Sequence, residues 1–140
     1  MLFRSLYQAT LNPAQLQFAI DVAESLIERF EDKERGGFWQ SPAAAGDLIL
    51  KMKEDHDGAE PSGNSAATLA LLKLGAITSN AKFTKAAEAC LRAFSERLLH
   101  QPHAVPYLLM ALDFSLDEPK RVVISGDPGS TEAKIGRAHV

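Results

Sequence analysis

The sequence predicts an all-α fold that forms part of an α/α toroid, with a short β-hairpin and a short C-terminal strand added to it. Two amphipathic segments alternate with two segments that are apolar almost all round, which is typical of outer helices that face water and inner helices that are enclosed. The amphipathic segments also repeat at an offset of 67 residues, where the apolar positions that match are Leu16, Ala19, Ala23 and Ile27 with Phe83, Ala86, Cys90 and Phe94. A repeat of that length corresponds to one helical hairpin with its loops. An open four-helix bundle is the alternative architecture.

Composition excludes several classes of function. The 140 residues are 46% hydrophobic and carry a net charge of -3. The chain can therefore bury a core but has no basic field, and we expect no nucleic-acid partner and no membrane partner. Its single cysteine, Cys90, cannot form an internal disulfide, which fits a reducing compartment. No stretch reaches the roughly 20 apolar residues of a membrane span, and the first residues lack the order of a signal peptide. We expect a cytoplasmic location.

The first helix and the segment after it have clear boundary signals. Asn12 and Pro13 form an N-cap followed by a first-turn proline, so the first amphipathic helix begins there. The Gly36-Gly37 pair ends this segment. Phe38-Trp39 is then predicted to pair with residues 47–51 as a β-hairpin.

The remaining elements follow from turn residues and periodicity. Residues 57–65 are dense in turn and cap residues and lead into an inner helix over residues 66–77. A second amphipathic helix extends over residues 83–98, and a second inner helix over residues 104–114. Residues 120–125 read as a short strand that ends in a Gly-Asp-Pro-Gly turn.

Four strings of residues carry a family resemblance. They are GGFW at 36–39, LILKMK at 48–53, DGAEPSGNSAA at 57–67 and RVVISGD at 121–127. In order and spacing, from about Leu6 to about Thr131, the chain resembles the C-terminal part of the thioredoxin-domain proteins related to spermatogenesis-associated protein 20. The resemblance implies a six-hairpin, (α/α)6 domain similar to N-acylglucosamine 2-epimerases and glycosidases, preceded by a thioredoxin-like domain with a Cys-x-x-Cys motif. That thioredoxin-like domain of the same full-length chain is the partner that the resemblance implies. This sequence has no Cys-x-x-Cys, so we assign it no redox activity.

The chain divides into two parts by origin. Residues 1–134 are interpreted as an incomplete α/α toroid domain with its short C-terminal strand. The last six residues, 135–140, read IGRAHV, which resembles the translation of a common sequencing adapter. We expect these six to be an artefact and exclude them from functional reasoning.

The candidate site lies where the inner helices begin. In a toroid the inner helices are parallel, so their N-terminal ends meet at one rim, and free N–H groups there suit a hydroxyl-bearing or anionic ligand such as a carbohydrate or sugar phosphate. Asp57 and Glu60 are the candidate catalytic acid/base pair. The alternative is that Asp57 supports a turn and Glu60 is solvated. The candidate substrate-binding residues, each of which also has a structural interpretation as core, cap or surface, are Trp39, Ser62, Asn64, His103 and Tyr107.

The sequence predicts no cofactor and no metal site, because His56, His100 and His103 lack the spacing of metal ligands on one helix. The leading hypothesis is a domain that binds or converts a carbohydrate, as an epimerase or glycosidase does. The alternative is a non-catalytic interaction or scaffold domain for the thioredoxin-like module. A third hypothesis is a small helical protein that dimerises through its open apolar edges.

Overall fold

The computed structural model describes residues 7, 10, 12–42 and 51–117. Their elements are α1 (Pro13–Phe30), α2 (Gly63–Thr78), α3 (Ala81–Ala93), α4 (Ser95–His100), a short 3-10 helix (Pro102–Ala104) and α5 (Pro106–Leu116). Helix α2 lies at the centre and packs against α1, α3 and α5. The prediction of an all-α fold is confirmed for the described residues, in which the β pairing is one isolated antiparallel bridge between Glu31 and Phe38.

Helix α1 begins and ends as its sequence predicts. The Asn12 side chain accepts a hydrogen bond from the Ala14 N–H at 3.0 Å, and Pro13 occupies the first turn. Ala23 and Ile27 are buried on the inner face of the helix. After the helix the chain turns through Gly36 and Gly37 at φ 74° and 76°, a conformation that favours glycine. Gly36 also passes so close to α3 that an added Cβ would lie 2.3 Å from the Ala89 carbonyl oxygen.

Helix α2 begins earlier than its apolar pattern indicates. The predicted segment starts at residue 66, whereas the helix starts at Gly63, because the Ser62 hydroxyl accepts the Ser65 N–H at 3.1 Å and caps the first turn. The helix is buried on several faces, as expected of an inner helix. Its buried residues are Asn64, Ser65, Thr68, Leu69, Leu71, Leu72, Leu74 and Gly75.

The second half of the chain differs from the prediction at one point. Residues 83–98 were expected to form one amphipathic helix, but the backbone leaves helical geometry at Phe94 (φ -105°, ψ 17°), which separates α3 from α4. Phe94 itself remains buried in the core. The apolar positions of the predicted helix therefore still face the core at the junction of α3 and α4. The eight positions of the predicted repeat all lie in the core or pack against it.

Several predictions fall outside the described residues. They concern the second half of the β-hairpin up to residue 50, the strand at 120–125 and the terminal residues 135–140. Among the described residues next to the predicted hairpin, the Gln40 N–H donates to the Met52 carbonyl at 2.9 Å. Within the described part of the chain, no helix has both the length and the apolar character that crossing a membrane requires.

Candidate functional site

The site is organised by a stretch that is neither helix nor strand, residues 51–57, which we call the crossing segment. It lies between the loop after α1 and the start of α2, and its side chains bind several different elements. Lys53 contacts the loop after α1, and Glu54 accepts the Gly63 N–H at the start of α2 at 3.0 Å. Asp55 accepts a hydrogen bond from Arg97 of α4. The crossing segment therefore holds together elements that are distant along the chain.

Asp57, the last residue of the crossing segment, joins the starts of both inner helices. One carboxylate oxygen, Oδ1, accepts the Ser62 N–H at 2.8 Å, and the other, Oδ2, accepts the Tyr107 N–H at 2.8 Å. The Asp57 N–H donates to the Ala104 carbonyl at 2.8 Å. The starts of α2 and α5 thus meet at one buried carboxylate.

The hydrogen bonds of Asp57 also set its protonation state. Burial alone would raise the pKa of Asp57, but hydrogen bonds from the Ser62 backbone, the Ser65 hydroxyl and the Tyr107 backbone outweigh burial and hold the pKa below its ordinary value of 3.8. The group is therefore a carboxylate at neutral pH, with no proton to give. A catalytic role for Asp57 stays a prediction, whereas its contacts give it a structural role at the two helix starts.

Glu60, the other predicted catalytic residue, lies in a different environment. Its side chain is exposed, whereas that of Asp57 is buried. The Glu60 carbonyl accepts the Gly58 N–H at 3.1 Å, so the residue sits in a tight turn just before α2. The structure therefore places Glu60, and not Asp57, at a position that a ligand in solution can reach.

Ser62 and Asn64, predicted to bind substrate, are both buried and bind the protein itself. The Ser62 hydroxyl caps α2 and donates to the Ser65 hydroxyl at 2.9 Å. The Asn64 side chain accepts the Phe38 N–H at 2.7 Å and donates to the Phe38 carbonyl at 3.0 Å. It also donates to the Glu54 carbonyl at 3.1 Å. These contacts favour the structural interpretation of both residues and fix Phe38 and the crossing segment against the start of α2.

The other predicted ligand contacts are more accessible. Trp39 and Tyr107 are half-buried, and His103 is exposed on the 3-10 helix that precedes α5. Tyr107 lies beside the Asp57 carboxylate through its backbone N–H. The structure therefore brings Tyr107 and His103 to the same end of α5, next to the turn that carries Glu60.

Sequence reasoning missed an ion pair in this region. Lys53 Nζ lies 2.7 Å from Asp32 Oδ2 and donates to the Gly36 carbonyl at 2.6 Å. Burial opposes the ionised form of Asp32, but hydrogen bonds from Lys53 and from the N–H groups of Arg35 and Glu34 lower the pKa of this carboxyl. No local pattern indicates this pair, because the LILKMK string holds two lysines, Lys51 and Lys53, and Lys53 lies 21 positions from Asp32.

Three N–H groups at the helix starts, which were expected to be free for an anionic ligand, are bonded within the protein. The N–H groups of Ser62 and Tyr107 are bound to Asp57, and that of Gly63 is bound to Glu54. Carboxylates of the protein thus already occupy the places that an anion would take. The expectation of a sugar phosphate at these groups is therefore not supported by the geometry.

Cys90 is a buried side chain in the core rather than an accessible thiol. It has no exposed surface, and its Sγ lies 3.5 Å from Asn64 Oδ1. Burial raises the pKa of the Cys90 thiol to about 11. Among the described residues, no group of three or more metal-ligating side chains is placed to hold a metal ion.

We expect Cys90 to be protected from alkylation in the folded chain. At neutral pH a maleimide should react with it at least about a hundredfold more slowly than with the unfolded chain, because both burial and a low thiolate fraction oppose the reaction. Cys90 is the only cysteine, so mass spectrometry of the labelled chain with and without denaturant measures this ratio directly. Equal rates in the two conditions would contradict the burial of this residue.

Comparison with known proteins identifies relatives of the chain. No protein-family model matches it. It is similar to spermatogenesis-associated protein 20 of Rattus norvegicus, with 36% identity over 130 residues, and to the proteins of that name in Mus musculus and Homo sapiens, each with 35% identity over 130 residues. An uncharacterized Caenorhabditis elegans protein is 36% identical over 94 residues, which cover 67% of the chain and 13% of that protein.

The extent of these alignments defines the relationship. They cover 92% of this chain but only 16% of the length of each mammalian relative. The resemblance found in the sequence motifs is thus confirmed across most of the chain. The chain is therefore homologous to one part of spermatogenesis-associated protein 20.

Proposed function

We propose that the chain forms part of the rim of a carbohydrate-binding pocket in an (α/α)6 toroid. The observation that carries this proposal is the Asp57 carboxylate, which joins the starts of α2 and α5 at one place. Two inner helices that begin side by side are what a toroid needs to form a pocket at one end of its barrel. The resemblance to epimerases and glycosidases with this architecture agrees with that arrangement.

The charges at the rim favour an uncharged carbohydrate. Asp57 and Glu54 already bind three of the N–H groups at the helix starts, and the exposed Glu60 carboxylate adds further negative charge nearby. A phosphorylated sugar would meet repulsion without gaining the usual N–H donors. The hydroxyl groups of a neutral sugar can instead bond to the accessible polar side chains of the rim.

Each accessible residue has a role in this proposal. Trp39 supplies an aromatic surface for a sugar ring, while Tyr107 and His103 supply hydrogen-bonding groups. Glu60 is the group that transfers a proton, because its side chain is exposed. The Asp57 side chain, in contrast, is buried, and both of its carboxylate oxygens accept hydrogen bonds from the protein. The whole protein would act in a reducing compartment such as the cytoplasm.

Ligand titration tests this function in the full chain and, in parallel, in full-length rat spermatogenesis-associated protein 20. Saturation-transfer NMR with neutral hexoses, N-acylated hexosamines and hexose phosphates should show binding of the neutral sugars. Turnover is followed by NMR of the same samples. In Glu60→Gln binding should persist, while any epimerase or hydrolase turnover should fall by roughly a hundredfold or more.

The matched control is Glu34→Gln, which neutralises another exposed glutamate in the turn after α1. It should leave both binding and turnover unchanged. Binding of no sugar to either protein would contradict the proposed function.

A second candidate function is a scaffold for the thioredoxin-like module of the longer protein. The observation that favours it is the structural use of Asp57, Ser62 and Asn64, whose side chains bind the protein rather than face a pocket. A scaffold would show no sugar binding but would bind a separately expressed thioredoxin-like domain. Calorimetric titration of that domain into the chain distinguishes the two functions.

A further inference from the structure

Three residues next to Trp39, namely Lys53, Asp32 and Gly36, have no role in the function proposed above. Lys53 binds Asp32 and the Gly36 carbonyl, and its ammonium lies over the Trp39 ring at 4.4 Å from the centroid. The Lys53 side chain is 16% exposed and that of Asp32 is 9% exposed. The cation is therefore held in place by two acceptors and an aromatic ring in a mostly dry environment.

The position of the ammonium is set by the loop and not by Trp39 alone. The Gly36 carbonyl and the Asp32 carboxylate come from the turn after α1, and Asp32 is itself fixed by the N–H groups of Glu34 and Arg35 at 3.0 and 3.1 Å. Trp39 is fixed by its own backbone N–H, which donates to the Phe30 carbonyl at 2.9 Å. Ring and cation are thus attached to the same frame.

A fixed cation on one face changes what the ring can bind. The electron-rich face of an indole attracts cations. In this structure the Lys53 ammonium already lies over one face of the Trp39 ring. A second cation stacked on the ring would compete for the same π electrons and would be repelled by the Lys53 ammonium, a repulsion that the paired Asp32 carboxylate reduces. A neutral sugar, which stacks through its C–H groups, would not be repelled.

We infer that Lys53 is a positioning and specificity-determining residue, which holds the Trp39 ring at the rim and makes it a surface for uncharged rather than cationic sugars. This inference rests on the proposed function, in which Trp39 contacts the ligand. It adds the exclusion of amine-bearing sugars, which the acidic residues of the rim would by themselves attract.

The test uses the full chain, whose only tryptophan is Trp39, so that fluorescence reports on this ring alone. In Lys53→Met the charge is lost while most of the side-chain length is kept. We expect a shifted emission maximum and about twofold stronger quenching by acrylamide, because the ring is no longer held by the cation. Lys53→Arg should restore the wild-type values, and Lys85→Met, which removes an exposed charge from α3, should not change them.

The selectivity is measured with glucose and with glucosamine at a pH at which its amine is protonated. The wild-type chain should bind glucose about fivefold more tightly than glucosamine, and Lys53→Met should remove or reverse this preference. If Lys53 acted on stability alone, the ratio of the glucose and glucosamine affinities would be the same in the wild-type chain, in Lys53→Met and in Lys53→Arg. If Lys53→Met does not fold, Asp32→Asn combined with Lys53→Met removes both charges and leaves no buried carboxylate unpaired.

The outcomes separate the inference from the proposed function. Unchanged acrylamide quenching in both Lys53 variants would overturn the positioning role, even if sugars bind. An unchanged preference for glucose would overturn the role in specificity. Altered quenching without binding of either sugar would support the positioning of Trp39 and contradict the proposed function.

Discussion

Replacing Asp57 by alanine is expected to lower the free energy of unfolding by about 4 kcal/mol, since two backbone N–H groups, one buried and one half-buried, lose a charged acceptor. The two groups belong to Ser62 and Tyr107, at the starts of α2 and α5. The negative charge also stabilises the positive ends of both helix dipoles. Both N–H groups are bonded to this one carboxylate, so the loss should extend to both helices.

Urea unfolding followed by circular dichroism measures this effect. Asp57→Asn keeps one acceptor oxygen but places an amide against an N–H group, so its cost should fall between that of alanine and zero. Glu60→Ala is the matched control, because Glu60 is exposed three residues away, and it should change stability by less than about 0.5 kcal/mol. Equal stability of the Asp57→Ala and Glu60→Ala variants would contradict the role of Asp57 in joining the starts of α2 and α5.

The same carboxylate makes stability depend on acid pH. The pKa of Asp57 is lowered by folding, below its ordinary value of 3.8, so its contribution is complete above that value and is lost as the pH falls through the lower, folded pKa. The pKa of Asp32 is also lowered in the folded chain, so Asp32 likewise contributes stability that is lost at acid pH. The difference in stability between the wild-type chain and Asp57→Asn should therefore shrink as the pH is lowered below the ordinary value.

Replacing Asn64 by leucine is expected to lower the free energy of unfolding by about 3 kcal/mol, because three backbone groups, two of them in buried hydrogen bonds, lose their partner. These groups are the N–H and the carbonyl of Phe38 and the carbonyl of Glu54. Leucine has a similar size, so the experiment removes hydrogen bonds rather than volume. Asn64→Leu should also loosen Phe38, which belongs to the core.

Urea unfolding again provides the measurement. Gln17→Leu serves as the control, because Gln17 lies on the exposed face of α1 and bonds only to the exposed Asp21 among the contacts described here. Its effect should stay within about 0.5 kcal/mol. A ligand-binding role for Asn64 without a structural one would leave the stability of Asn64→Leu close to that of Gln17→Leu.

The sequence predicts well what depends on neighbouring residues. The Asn12 cap, the start of α1 and the apolar faces of the helices follow from local patterns that the structure confirms. The early start of α2 was missed because the polar first turn, with Asn64 and Ser65, resembles a loop. These residues are nevertheless buried, since their side chains bond to backbone groups elsewhere in the fold.

Contacts between distant residues explain the rest. Asn64 and Phe38 are 26 positions apart, Lys53 and Asp32 are 21 apart, and Asp57 and Tyr107 are 50 apart. None of these pairs shares a helix face or a turn, so no periodicity indicates them. The candidate site residues could therefore be named from the sequence, but which of them are buried and which are accessible depended on the tertiary structure.

The crossing segment has a consequence for how the protein opens. Residues 51–57 contain no helical hydrogen bonds, yet they hold the loop after α1 and the starts of α2 and α5 through a few polar contacts. Because these contacts share one short stretch of chain, losing that stretch releases all of these elements together. We therefore expect the loop after α1 and the starts of α2 and α5 to unfold locally as one cooperative unit, while the apolar interface between α2 and α3 stays intact.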